Sequence, residues 1–365
     1  MKIDFANLGL AYKEHKKEID AAIAEVIDNS SFIMGEVVTN FETNLSKYTG
    51  ASHSISCSSG TDALLLAMMA IDIQPGDEII TTPFTFIATA ETIAFLKAKP
   101  VFVDIDEESY NIDPSKIEAA ITSRTKAIMP VSLYGQVADM DAINEIASKH
   151  NLVVIEDAAQ SFGATYNGKK SCNVSKLGCT SFFPAKPLGC FGDGGAVFTN
   201  NDHLAEKIKS LRLHGQTERY YHKYIGMGGR LDTLQAAVLD VKLSHYSKDV
   251  ERRQYVANLY TQLLKASDVI VPIVQDNKTS VWAQYSIRVK NREEVQEELK
   301  QNGIPTAVHY PRPLHLQECF EYLNYKEGDF PISEIVSKEI MSIPMNPYLT
   351  EEEIKYITTN LLNLL

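Results

Sequence analysis

Between about residue 51 and residue 200, short β-branched or apolar runs alternate with stretches whose apolar positions recur at helical spacing. That alternation is the pattern of a wound α/β sheet. The runs that read as strands are 53–57, 78–81, 100–104, 127–131, 152–156, 179–183 and 196–199; those that read as helices are 62–69, 88–95, 114–120, 140–150 and 202–211. From Leu231 to about Leu264 the apolar residues keep a helical period, which predicts a long helical connection out of the first domain. Beyond it come an alternating strand at 281–289, a helix at 293–301, a short strand near 305–310 and a terminal helix from Glu351, the content of a small α+β domain. The expected division is a large domain over 1–245 and a smaller C-terminal one over 246–365. No Pro/Gly/Ser-rich linker separates them, so the two should pack closely around a cleft.

Composition narrows the function classes. The chain has 365 residues, enough for more than one ordinary domain, and 44% hydrophobic with 22% charged residues is a globular balance. A net charge of −12 opposes non-specific attraction to nucleic acid or anionic lipid, so a phosphate-bearing ligand would need local donors. The start, Met1-Lys2-Ile3-Asp4-Phe5, lacks a basic segment followed by an apolar one, and no apolar run is long enough to span a bilayer; a cytoplasmic location is the expectation. Five cysteines without CxxC spacing read as reduced thiols, and nine histidines without HExxH leave no metal site to expect.

The chemistry gathers around a few segments. Lys186 stands in Ser181-Phe182-Phe183-Pro184-Ala185-Lys186-Pro187-Leu188-Gly189, where aromatic, proline and glycine neighbours can strip its hydration and favour the neutral, nucleophilic amine. Asp157 closes the apolar strand that ends Glu156-Asp157, and neighbouring strand residues face opposite ways, so the two acids should not share a task. A desolvated lysine paired with an acid that keeps a pyridine ring protonated fits pyridoxal phosphate; singly, Lys186 reads as a surface lysine and Asp157 as a cap. Ser56-Cys57-Ser58-Ser59-Gly60-Thr61-Asp62 sets small residues between a strand and a helix, either a helix cap or a phosphate cradle of free backbone N–H groups. Asp62 would repel a phosphate there unless it points away. Gln160 could bond a ring oxygen, and Phe86 could stack on a ring or belong to the core. Gly192-Asp193-Gly194-Gly195 lacks the GxGxxG order and reads as a tight turn that admits a close backbone approach to a ligand. Arg230 and Arg312, flanked by glycines and prolines, are candidates for gripping a carboxylate or phosphate.

Taken together, Gly60-Thr61-Asp62, Phe86, Glu156-Asp157-Ala158-Ala159-Gln160, Ser181 with Lys186, and Arg230-Leu231-Asp232-Thr233-Leu234-Gln235-Ala236 resemble, in order and spacing, the DegT-type sugar-nucleotide aminotransferases. The resemblance covers nearly the whole chain. It implies the aspartate aminotransferase fold, a large mixed-sheet domain with a smaller α+β domain, and a pyridoxal phosphate-dependent homodimer with shared active sites. Lys186 would hold the cofactor covalently and shuttle the proton, Asp157 would pair with the pyridine nitrogen, Gln160 would contact the ring oxygen and Phe86 would cover the ring. Gly60, Thr61 and Ser181 would hold the phosphate. Within the family, the run from Cys179 to Cys190 and the pair His309-Tyr310 look closest to the branch that takes an amino group from L-glutamate and places it on C3 of a UDP-linked keto uronic acid, for surface polysaccharide. Arg230, His309 and Tyr310 would then read the sugar. Another keto sugar nucleotide, aminated at C3 or C4, and a non-catalytic cofactor-binding regulator are the alternatives. One position departs from the pattern: family members commonly carry an asparagine two residues before Arg230, offered by the neighbouring subunit to the cofactor phosphate, and here Gly228 stands there.

Overall fold

The computed structural model describes Met1 and residues 3–365. Three helices come first, α1 (Leu8–Glu14), α2 (Lys16–Asp28) and α3 (Glu36–Thr49). They are followed by β1 (His53–Cys57), α4 (Gly60–Ala70), β2 (Glu78–Thr81), α5 (Ala88–Phe95), β3 (Lys99–Phe102), α6 (Pro114–Ile117), β4 (Thr125–Ile128), α7 (Met140–Lys149), β5 (Val153–Asp157), β6 (Leu177–Ser181), β7 (Gly195–Thr199) and α8 (Asp202–Leu211). The strands form one seven-stranded sheet in the order β1-β7-β6-β5-β4-β2-β3. β7 runs antiparallel to both β1 and β6, and the other pairs are parallel, so the sheet is mixed.

Helices cover both faces, which is why the strands read as near-continuous apolar runs. The two-residue alternation sorts the side chains. Ile79, Ile155 and Val197 pack under α4 and α8, while their neighbours Ile80 and Val154 pack with Ile143 of α7, and Phe198 packs with Phe41 and Leu45 of α3.

The long helix α9 (Thr233–Leu264) runs unbroken through the division expected at 245/246 and packs against α2 and α3. After it come β8 (Tyr285–Arg288), α10 (Arg292–Gln301), α11 (Pro331–Glu339), β9 (Ile340–Ile343) and α12 (Glu351–Leu362). β8 and β9 pair antiparallel, and α12 begins in a reciprocal Thr350/Glu353 capping box. Their core includes Tyr260, Tyr285, Leu299 and Ile357, and the N-terminal Ile3 joins it. The strand expected over 281–289 is shorter because Trp282 adopts a left-handed backbone, φ 50°, which no extended ladder accepts. The strand expected near 305–310 reduces to one bridge, Ala307 to Ser342. Pro305 and Pro311 bracket that segment and cannot donate to a ladder.

Candidate active site

The carboxyl ends of β1, β2, β5 and β6 open into a cavity of about 520 Å³, closed from the opposite side by Gln284, His309 and Tyr310. Gly60, Thr61, Phe86, Asp157, Gln160, Ser181, Lys186, His309 and Tyr310 all line it. Arg230 and Arg312 do not: Arg230 is half-buried in the loop before α9 and Arg312 is exposed.

Lys186 sits in the turn after β6, where its backbone N–H donates to the Phe183 carbonyl at 2.8 Å. Its ammonium has no hydrogen-bond or ion-pair partner among the described residues. Burial lowers its pKa, opposed only by the charge of Asp157, so the free amine is favoured relative to an ordinary lysine. Asp157 is buried; Thr89 Oγ1 donates to its Oδ2 at 2.8 Å and the Ala159 N–H to its Oδ1 at 3.2 Å. Desolvation raises the Asp157 pKa against those donors and Lys186, so a cation placed beside the carboxylate would gain a strong partner. Glu156 points to the other face, where Ser132, Ser171 and the Cys172 N–H satisfy it.

At the start of α4, Ser59 Oγ accepts from the Asp62 N–H at 3.0 Å, which makes Ser59 the helix cap. The Gly60 and Thr61 N–H groups have no partner among the described residues and stand beside Ser181. A Cβ on Gly60 would lie 2.6 Å from Ser181 Cβ, so the cradle closes only with glycine there. Ser58 donates to the Asp62 carboxylate, which does not line the cavity; its charge is turned away from the cradle. The turn Gly192-Asp193-Gly194-Gly195 reaches the cavity through Asp193 and makes a second close approach besides. A Cβ on Gly195 would lie 2.3 Å from the Ser59 carbonyl oxygen, so the glycine serves backbone packing under the cradle.

Gln160 is fixed at both ends, its Oε1 accepting from the Tyr134 N–H at 2.8 Å and its Nε2 donating to the Tyr310 hydroxyl at 3.1 Å. Tyr134 also donates its hydroxyl to the His309 carbonyl, and His309 Nδ1 pairs with Ser342 Oγ at 3.0 Å. Burial, helped by the Lys186 charge, pushes the His309 imidazole down to about 4. Phe86 is 54% exposed and stands 6.1 Å from the Tyr310 ring, over the cavity mouth. Thr85, Thr89, Tyr134 and Gln284 were not singled out from the sequence. Thr85 and Thr89 lie one turn apart and bond each other at 3.0 Å, a spacing that could have flagged the pair; Tyr134, Gln284 and Ser342 reach the site only through the tertiary fold.

The arrangement fits pyridoxal phosphate: free backbone donors beside a hydroxyl, a buried carboxylate short of a cation, and an unpaired amine around one void. Residues 13–362 match the DegT/DnrJ/EryC1/StrS aminotransferase family. The chain is 52% identical to a UDP-2-acetamido-2-deoxy-3-oxo-D-glucuronate aminotransferase of Pseudomonas aeruginosa, over 99% of this chain and 100% of that one. It is 48% identical to a pleiotropic regulatory protein of Geobacillus stearothermophilus, over 98% of this chain and 97% of the other. Among solved structures, DesV of S. venezuelae in complex with a ketimine intermediate matches with a TM-score of 0.97 at 37% identity, covering 100% of this chain and 98% of that one.

Proposed function

The chain belongs to the DegT/DnrJ/EryC1/StrS aminotransferase family and is a pyridoxal phosphate-dependent aminotransferase, and from that premise we propose its substrates and the residues that serve them. The amino donor is L-glutamate and the acceptor is the C3 ketone of UDP-2-acetamido-2-deoxy-3-oxo-glucuronate, a step toward surface polysaccharide. The observation that carries this reading is the 52% identity, end to end, to the Pseudomonas aeruginosa enzyme that acts on that sugar, joined to a cavity that holds Lys186 and Asp157 together.

When bound, pyridoxal phosphate supplies an aldehyde that condenses with amines and a ring that takes up electrons from the amino-bearing carbon. The Gly60 and Thr61 N–H groups and Ser181 hold its phosphate at the positive end of α4. Asp157, its carboxylate fixed by Thr89 and the Ala159 amide, would hold the proton of the ring nitrogen in place. Lys186, its pKa lowered, would hold the cofactor and, as a free amine, carry the proton at the reacting carbon. Gln160, held by Tyr134 and Tyr310, would contact the ring oxygen, and Phe86 would cover the ring and exclude water.

The working unit is a homodimer in the cytoplasm. Phe86 and Phe183, both lining the mouth, are 54% and 52% exposed, apolar area that a second copy of the chain would cover. Arg230, absent from the cavity of its own chain, then serves the partner's site, where its guanidinium pairs with the uronate carboxylate. Gly228 leaves the cross-subunit phosphate contact unmade, and a Cβ there would press on the His214 ring at 3.1 Å.

A regulatory reading is favoured by the 48% identity to the pleiotropic regulatory protein. Against it stand Lys186 and a net charge of −12, since a DNA reader needs a basic face. Purified protein mixed with L-glutamate and the keto sugar decides between the two: turnover supports the enzyme, and a cofactor band indifferent to glutamate supports the regulator.

A further inference from the structure

Gln284 lines the active-site cavity just before β8, and its Oε1 is buried with no hydrogen-bond partner. Apart from the reactive Lys186, it is the one cavity-lining side chain among the described residues with a buried polar atom left unpaired. Gln284 also borders a second, much smaller pocket of about 20 Å³, shared with Tyr110, Tyr134 and Trp282. That is room for about one water, which could serve one atom of the amide. The Nε2 has no hydrogen-bond partner among the described residues either and is not one of the fully buried atoms, so the amide keeps a free donor for a ligand in the cavity that it lines.

The neighbouring polar groups are held within the protein or assigned to the cofactor. Gln160 is bonded at both ends, His309 Nδ1 is held by Ser342, and Asp157 is held by Thr89 and Ala159. A dicarboxylate such as glutamate is matched best by cations. A neutral amide that both donates and accepts matches instead the hydroxyl and acetamido groups of a sugar.

We infer that Gln284 is a specificity residue for the acceptor, its side-chain amide hydrogen-bonding a neutral polar group of the keto sugar. The inference rests on the sugar-nucleotide reading above. The test uses the holoenzyme and follows each half-reaction separately by the cofactor spectrum, for wild type and Gln284→Leu, with Gln284→Ala as a second variant. The expected result is a glutamate half-reaction within about two-fold of wild type and a kcat/KM for the 3-keto UDP-uronic acid reduced about ten- to hundred-fold, the loss of one hydrogen bond and the stranding of its partner. A variant unchanged with the sugar, or slowed equally with both substrates, overturns it. So does loss of the cofactor band in both variants, which would make Gln284 structural. A wild type that reacts with glutamate and ignores the sugar overturns the underlying reading, and this inference falls with it.

Discussion

Each residue of the site is set by a different physical demand. Lys186 must be unprotonated to react, and burial without a partner brings that about. Replacing it with Ala removes both the attachment point and the proton carrier, so transfer should fall by at least about 10³-fold. The thermal midpoint should not drop, because an unpaired ammonium is lost from a buried place; steady-state kinetics and thermal melts read the two effects apart. Asp157→Asn keeps the shape and removes the charge that holds the ring proton. It should slow transfer by about 10²-fold or more with a blue-shifted cofactor spectrum. His309 offers a pH test. Its folded pKa is lowered to about 4, below the ordinary imidazole value of about 6.5, so between those values the unfolded chain binds the extra proton. His309 therefore costs stability as pH falls through that window and costs nothing above it. The NMR signals of the His309 ring in cofactor-free protein should titrate near 4, and His309→Gln should lose less of its melting temperature than wild type between pH 7 and pH 5.

The elements carry the site by bringing loops together at one edge of the sheet. β7 and the turn before it support the phosphate cradle from below, with Gly195 against the Ser59 carbonyl. Gly195→Ala overpacks that contact and should cost about 1–3 kcal/mol, measured by denaturant unfolding, together with weaker cofactor binding. Phe41 ties α3 to the sheet and to α9; Phe41→Ala should cost about 3–5 kcal/mol in the same assay with little change in KM. The sheet strands were legible because burial on both faces writes them as apolar runs, and the errors there were shifts of up to three residues at their ends. Helices α1 to α3 were not anticipated. Val38, Phe41 and Leu45 do lie on one helical face, yet what makes that face worth burying is α9, nearly two hundred residues away. β9 escaped for a similar reason, since Ile340–Ile343 follows directly on a helix and only its pairing with β8 marks it as a strand. Lys186, Asp157 and the Gly60 turn were legible because each carries a local signature; Thr89, Tyr134 and Gln284 act through contacts that local sequence does not encode.

At the scale of the molecule the account requires two chains. Phe86 and Phe183 are exposed at the mouth and Arg230 does not line its own cavity, so in the proposed shared-site dimer a single chain would hold an incomplete site. Light scattering should give a dimer mass. If Arg230 serves the partner's site, Lys186→Ala and Arg230→Ala chains, each inactive, should regain about a quarter of wild-type activity when refolded as a mixture, since half the dimers then hold one intact site. No such recovery would place Arg230 with its own Lys186. The central claim, a cofactor that passes an amino group from glutamate to a 3-keto UDP-uronic acid, is tested most directly by the absorbance spectrum of the purified protein with pyridoxal phosphate. The band of the lysine-bound cofactor should disappear on adding L-glutamate and return on adding the keto sugar. A band lost with glutamate that the sugar fails to restore would contradict the acceptor, and a band that never responds to glutamate would contradict the transfer itself.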